Sequence, residues 1–331
     1  MKLLMTVAVL LSVPASANER QSRLAAIPRV DVHAHIGADL ELMERYVHLS
    51  RVVKDKFNAN LDIWVDLGLG TKWEKLTVDE LKAVDERFKG RFLLCLNDYR
   101  IRNGLKYTPE EIAEWQQRGV VGYKIHADLQ PGIDGAMHEP TFAAMERLGF
   151  LGAAIHISQP YPTKWCMDPI KHWQAHNAWE RVLDRHPDLK VVQAHMADHI
   201  TSDDQLDYLK YYLETYPNTN VDLCGRMNQF YRMDQKKLRD FIIQYADRIL
   251  FGTDIRFEPS EGHYIETAKR YNRCFQILET TNTVVGGFYG RKRIQGLELP
   301  LDVLERIYYR NAARIYPRVK DVLQSMGYKV E

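Results

Sequence analysis

The sequence predicts an α/β fold of the closed (β/α)8 TIM-barrel class. Three observations predict it. Short β-branched or apolar runs alternate with longer helical stretches, the pattern of a parallel sheet. The runs number eight, and their ends recur about every thirty residues, the length of one strand-helix step. No glycine-rich phosphate loop follows the first run, as an open sheet that binds dinucleotides would require. Gly68-Leu69-Gly70 after the second run lacks the third glycine and reads as a loop.

Taken in order, the chain starts with Lys2, the apolar run Leu3 to Val13 and the small residues Ala15, Ser16 and Ala17. This is the layout of a signal peptide, with cleavage expected near Ala17 and a secreted or periplasmic chain of one domain, 18–331. The apolar run is too short to cross a bilayer, which needs about twenty residues. The eight predicted strands are Val30 to His35, Leu61 to Leu67, Phe92 to Asn97, Val120 to His126, Leu151 to Ile157, Lys190 to His195, Asn220 to Gly225 and Ile249 to Thr253. Thr108-Pro109-Glu110-Glu111 and Ser202-Asp203-Asp204 predict capped helix starts, because a short side-chain oxygen can accept from the free N–H groups of the first turn. Gly119, Pro187 and Pro217 predict helix stops. No linker, low-complexity tract or internal repeat divides the chain.

Charge and composition exclude several function classes. The 45 Lys and Arg face 44 Asp and Glu, and no basic stripe interleaved with aromatics marks a nucleic-acid partner. No membrane segment follows the leader. Small-molecule substrates are the expected partners, and a homodimer is compatible with these features without being specified by them. Cys95, Cys166, Cys224 and Cys274 are scattered; an exported chain can bridge cysteines, but their spacing does not give a pairing.

Barrel enzymes place their chemistry at the C-terminal ends of strands, so the polar residues there are informative. Strand one ends in Asp31-Val32-His33-Ala34-His35, strand four contains Lys124 and His126, strand five has His156, strand six ends in His195, and strand eight runs into Asp254. His33 and His35 stand two apart, so both rings project from one face of the strand into the barrel mouth. A closed barrel sets strand eight beside strand one. Asp254 then adds a carboxylate to the histidines, and the strand ends together supply the donors of a His, His, His, Asp site.

Several pieces resemble the amidohydrolase-related proteins, the metal-dependent hydrolase branch that also contains aminocarboxymuconate-semialdehyde decarboxylase. They are D-V-H-A-H-I at 31–36, G-Y-K-I-H at 122–126, A-A-I-H-I-S at 153–158, V-V-Q-A-H-M at 191–196, I-L-F-G-T-D at 249–254 and the closing helix L-P-L-D-V-L-E-R-I-Y-Y-R-N-A-A-R-I at 299–315. The resemblance runs from about Val30 to Tyr316. It implies one divalent ion held by His33, His35, His156 and Asp254, with His195 hydrogen-bonded to the reactive water or substrate. The mixed imidazole and carboxylate set predicts zinc. His195 and Asp254 are the acid-base candidates: the first by its intrinsic pKa, the second because a ligating carboxylate can still accept a proton. Hydrolysis of an amide, cyclic amide or lactone is the expected reaction. Non-oxidative decarboxylation is the alternative, and a non-catalytic ligand-binding barrel is a third reading.

Lys124 leaves the number of ions open. Two-metal relatives carry a carboxylated lysine at this strand end, and G-V-V-G-Y-K-I-H-A-D also resembles a stretch of urease in which the lysine is so modified and the histidine two residues on contacts substrate. Carboxylation would bring a second ion, with His195 as its imidazole. Otherwise Lys124 binds a substrate carboxylate or forms a salt bridge. His126 shares its face and is a candidate substrate contact. Arg226 and Arg256 stand at the rim, where a guanidinium can hold a carboxylate by two parallel bonds. Trp64, Asp66, Asn97 and Asp98 are expected to shape the pocket, and the loop Ser158 to Pro169 to wall it. His172 and His176, four apart on a helix, have a zinc-binding spacing but no Glu after the first; surface positions are expected.

Overall fold

Eight parallel strands follow one another in chain order: β1 (Val30–Ala34), β2 (Ile63–Asp66), β3 (Phe92–Asn97), β4 (Gly122–His126), β5 (Leu151–His156), β6 (Val191–Gln193), β7 (Thr219–Asp222) and β8 (Ile249–Leu250). The last strand returns to the first, since Val32 N donates to Phe251 O and Asp254 N donates to His33 O, each at 3.0 Å. The expected (β/α)8 barrel is therefore the observed one, and all eight predicted runs overlap their strands. A computed structural model of the chain describes residues 17–37, 39–68, 78–98, 105, 107–129, 132–158, 168–255, 263–285 and 292–330. The leader up to residue 16, most of the loop between Ser158 and Pro169, and Arg256 lie outside the described residues.

Helices cover the barrel: α1 (Ala17–Ala26), α2 (Leu40–Phe57), α3 (Val78–Phe88), α4 (Pro109–Gln117), α5 (Glu139–Leu148), α6 (Pro169–Arg185), α7 (Asp203–Thr215), α8 (Gln235–Gln244) and α9 (His263–Glu279). Both predicted caps form. Thr108 Oγ1 accepts from Glu111 N while Glu111 Oε2 accepts from Thr108 N, and Ser202 accepts from Gln205 N. A small antiparallel hairpin, β9 (Thr283–Val285) and β10 (Arg293–Gln295), follows α9. The chain closes with α10 (Leu301–Glu305), α11 (Asn311–Ile315) and α12 (Val319–Ser325).

Two local irregularities position the strand ends. Tyr123 pairs with Gly152 but Lys124 pairs with Ala154, so β5 carries an extra residue, Ala153, ahead of His156. Such a bulge re-aims the side chains that follow it. Gly122 is required opposite, because a Cβ there would meet Ala153 Cβ at 2.7 Å and Leu151 O at 2.8 Å. The second irregularity lies between α10 and α11, where Arg306–Arg310 form a π-helical turn. Widening the helix there turns the Ile307 carbonyl outward, and it accepts from Phe251 N at 2.9 Å. The strand predicted from Ile249 to Thr253 is consequently only two residues long.

Trp64 does not shape the pocket. It is fully buried against Phe92, stacked at 5.3 Å, and meets Tyr46 of α2 edge-on. It therefore belongs to the apolar layer between barrel and helices, where a large aromatic buries most surface. Cys95, Cys224 and Cys274 are free thiols, and Cys166 lies outside the described residues. Among the described residues no helix is long and apolar enough to cross a membrane.

Candidate metal centre

The barrel mouth gathers polar side chains from five strand ends, those of β1, β4, β5, β6 and β8. His33 is fully buried on β1, and Gly252 makes room for it, because a Cβ there would sit 3.0 Å from His33 Cβ. His33 Nδ1 lies 2.8 Å from Asp222 Oδ2, and a carboxylate accepts, so Nδ1 carries the proton. Nε2 then presents a lone pair to the mouth. Lys124 Nζ, almost completely buried on β4, approaches that lone pair at 3.0 Å. Burial lowers the Lys124 ammonium, while Asp254 and Asp222 oppose the shift.

His35 and Asp254 complete the group. Asp254 takes a left-handed backbone, with φ of 56°, which costs about 1–2 kcal/mol for a residue with a Cβ. Its hydrogen bond to His33 O holds that conformation. His35 Nε2 and Asp254 Oδ1 stand 3.1 Å apart without the alignment of a hydrogen bond, so Oδ1 has no hydrogen-bond partner among the described residues. Burial would raise the Asp254 carboxyl, but His35, His33 and His195 outweigh it and hold the group well below the usual carboxylate range. His35 is pushed down to about 4, first by burial and then by the Lys124 charge. One donor atom from each of His33, His35 and Asp254 lies within 4.8 Å of the others. An ionised carboxylate and two imidazoles converging from neighbouring strand ends fit a divalent cation.

His156 stands beside this trio rather than in it. Its Nδ1 lies 2.9 Å from His195 Nε2, and its Nε2 lies 3.4 Å from Ser158 Oγ. His195 Nδ1 is 3.0 Å from the Cys224 carbonyl oxygen, which can only accept. The protons are thereby assigned: His195 donates through Nδ1, and its Nε2 accepts from His156 Nδ1. Burial pushes both imidazoles well below their ordinary pKa, so the pair is neutral at neutral pH. His195 lies past the end of β6, the first of four consecutive left-handed residues through Asp198. Asp222 Oδ1 fixes that turn by accepting from His195 N at 2.8 Å.

The remaining predicted residues are secured from behind. Asp98 Oδ1 accepts from both the backbone N and the ring of His126, at 3.1 and 2.9 Å. Asp66 Oδ1 accepts from Ile36 N, Gly37 N and Gly68 N, tying down the loop that follows His35. Arg226 is not an open rim group: it is buried, and Nε donates to Asp198 Oδ1 at 2.5 Å. A buried guanidinium needs such a partner to offset the cost of its desolvation, which is why it turns inward to Asp198. His172 and His176 are a second correction, being fully buried on α6. Together with Trp179, Val182 and Leu183 they form its inward stripe, so helical periodicity rather than polarity decides their position.

Asp222 and Cys224 escape a reading of strand ends. The Asp222 carboxylate joins His33 to His195, and Cys224 Sγ lies 2.9 Å from His33 Nδ1 and 3.0 Å from His195 Nδ1. The available signal was an acid alternating with Asn220 and Cys224 on a strand, where a buried carboxylate needs a partner.

The family model described as Amidohydrolase matches residues 72–318, most of the chain. This chain belongs to the amidohydrolase family. It is accordingly an enzyme that acts on a small molecule with a divalent metal. The match starts beyond β1, so the association of His33 and His35 with this amidohydrolase's other strand ends rests on barrel geometry. No curated protein sequence matches the chain significantly. Among solved structures, an uncharacterized TIM-barrel protein from Bordetella bronchiseptica is similar with a TM-score of 0.54 at 15% identity, covering 87% of this chain and 98% of that one. A 2,6-dihydroxybenzoate decarboxylase has a TM-score of 0.51 at 16% identity, covering 87% and 99%. A manganese-bound 5-carboxyvanillate decarboxylase from Novosphingobium aromaticivorans has 0.51 at 13% identity, covering 88% and 96%. At these identities the likeness is one of fold.

Proposed function

We propose that this amidohydrolase hydrolyses an amide, cyclic amide or lactone in a small molecule, using one zinc ion held by His33, His35, Asp254 and His156. The observation that carries the reading is the convergence of the ionised Asp254 carboxylate with His35 Nε2, 3.1 Å from Oδ1, and with His33 in one donor group. When bound, such an ion lowers the pKa of water to about 7 and polarises a carbonyl group. Asp254 is the proton acceptor, because its neighbours keep it ionised at neutral pH. His195 would be the second acid-base group, holding a proton at Nε2, the atom that here accepts from His156 Nδ1, with its tautomer fixed by the Cys224 carbonyl. His156 would supply the fourth ligand atom through Nε2, whose contact with Ser158 Oγ is long at 3.4 Å. The N-terminal leader pattern supports export of the enzyme after cleavage near Ala17.

Lys124 favours a second reading. A buried ammonium 3.0 Å from His33 Nε2 can hold a substrate carboxylate, as a carboxy-lyase requires, and two solved neighbours of the fold are decarboxylases. Turnover of lactones, hydantoins, N-acyl amino acids and aromatic carboxylates in water enriched in heavy oxygen separates the two. We expect one labelled oxygen in the new carboxylate product. Release of carbon dioxide with no label in the organic product would replace the hydrolase with the carboxy-lyase.

Asp222 supplies a separate check on the ion. Asp222→Asn retains an oxygen but has no charge with which to orient the His33 ring, and loss of such a partner weakens metal binding by about 10–100-fold. Competition of the protein with a chromophoric chelator should read that decrease. Unchanged affinity would mean that His33 is not a ligand held in this way.

A further inference from the structure

A second group of histidines lies away from the barrel mouth. His172 and His176 are one turn apart on the inward stripe of α6, and His199 follows the left-handed turn after β6. All three are fully buried. One ring nitrogen of each lies within 4.8 Å of the others, and the ring centroids of His176 stand 4.4 Å from those of both His172 and His199.

The geometry points to a second metal site, in which His172, His176 and His199 hold a zinc-class divalent ion. His172 Nδ1 lies 2.9 Å from the Ser158 carbonyl oxygen, so this nitrogen donates and Nε2 presents the lone pair. Orientation of a ligand ring by a carbonyl is the usual support for a metal-binding imidazole. Five ring nitrogens have no hydrogen-bond partner among the described residues: His172 Nε2 and both nitrogens of His176 and of His199. Buried polar atoms are otherwise almost always satisfied, and three such side chains packed together without mutual hydrogen bonds need a common partner. Burial holds all three rings below their ordinary pKa, which leaves them neutral and free to coordinate. An all-imidazole group suits zinc, copper, nickel or cobalt; calcium and magnesium require oxygen donors.

Trp173 stacks over His199 at 5.6 Å, and Tyr208 meets the same ring edge-on at 4.8 Å, giving the site an aromatic cover. The ion's role follows from the elements it joins. It would fasten α6 to the segment that carries His195, and through Ser158 it would reach the residue beside His156. This assignment does not depend on the reaction at the mouth.

Elemental analysis of zinc-loaded, desalted full-length protein tests it with separate variants at the two centres. His33→Ala/His35→Ala should still retain one equivalent of zinc, with a shell of nitrogen neighbours in X-ray absorption. His176→Leu should hold one equivalent less than the unmodified chain. Zinc should raise the melting temperature of the mouth variant, and adding His176→Leu to that variant should abolish the increase. If the mouth variant binds no zinc, the proposal is overturned, including the case in which both ions sit at the mouth. Equal zinc in His176→Leu and the unmodified chain overturns it as well. Should His176→Leu fail to fold, the zinc content of the mouth variant alone decides.

Discussion

Asp254→Asn is expected to fold normally, bind metal more weakly and, when fully loaded, turn over at least about 100-fold more slowly, the low end for removal of an acid-base group. Asparagine accepts the left-handed backbone seen here, with φ of 56°, and the hydrogen bond from residue 254 N to His33 O needs no side chain. The fold therefore has little reason to change. The negative charge that His35, His33 and His195 stabilise is lost, and with it the only ionised oxygen in the donor trio. An amide oxygen can still coordinate, but it cannot accept a proton near neutral pH. Rates should be compared as kcat/KM after zinc reconstitution, with substrate well below saturation and metal measured on the same sample. Near-normal rates in loaded Asp254→Asn would remove Asp254 from both of its assigned roles.

The second large effect is a contrast between two histidines. His33→Ala should lose the ion at the mouth, weakening it beyond the roughly 100-fold that loss of a supporting hydrogen bond costs. His195→Ala should keep that ion and lose about 10²–10⁴ in kcat, the usual range for a proton-transfer group. The geometry gives the reason. His33 Nε2 points into the donor trio, where Lys124 Nζ approaches it at 3.0 Å, whereas His195 Nδ1 is turned to the Cys224 carbonyl and its Nε2 to His156. Metal analysis alongside steady-state kinetics reads both quantities. If His195→Ala sheds the ion as readily as His33→Ala, His195 is a ligand and the two-ion arrangement with carboxylated Lys124 takes over.

Residues that carry their own spacing were legible in the sequence. His33 and His35 show the two-residue period of a strand, and the count of eight units brings Asp254 beside them. The partners behind them were not. Asp222 is one acid at the end of a short strand, and nothing in its neighbourhood along the chain says that it meets a ring 189 residues away. His172 and His176 misled in the opposite direction: helical polar residues are usually exposed, and the apolar continuation through Trp179, Val182 and Leu183 was the better guide to their burial. The short β8 depended on the π-helical turn far along the chain, because Phe251 N pairs with Ile307 rather than with a strand.

The bonds that close the barrel also set the time at which the enzyme can acquire its ion. Thr253 and Asp31, joined through Asp31 Oδ1 and Oδ2, are 222 residues apart, and His35 meets Asp254 across the same seam. Contacts of such separation carry a large loop-closure cost and form after local strand-helix pairing. A chain emerging N-terminus first therefore presents His33 and His35 long before their carboxylate partner exists. Helix α10–α11, which supplies the Ile307 carbonyl to Phe251, comes later still. Tight metal uptake in a refolding experiment should accordingly coincide with the slowest structural phase, making the bound ion a clock for completion of the barrel rather than a nucleus around which it forms.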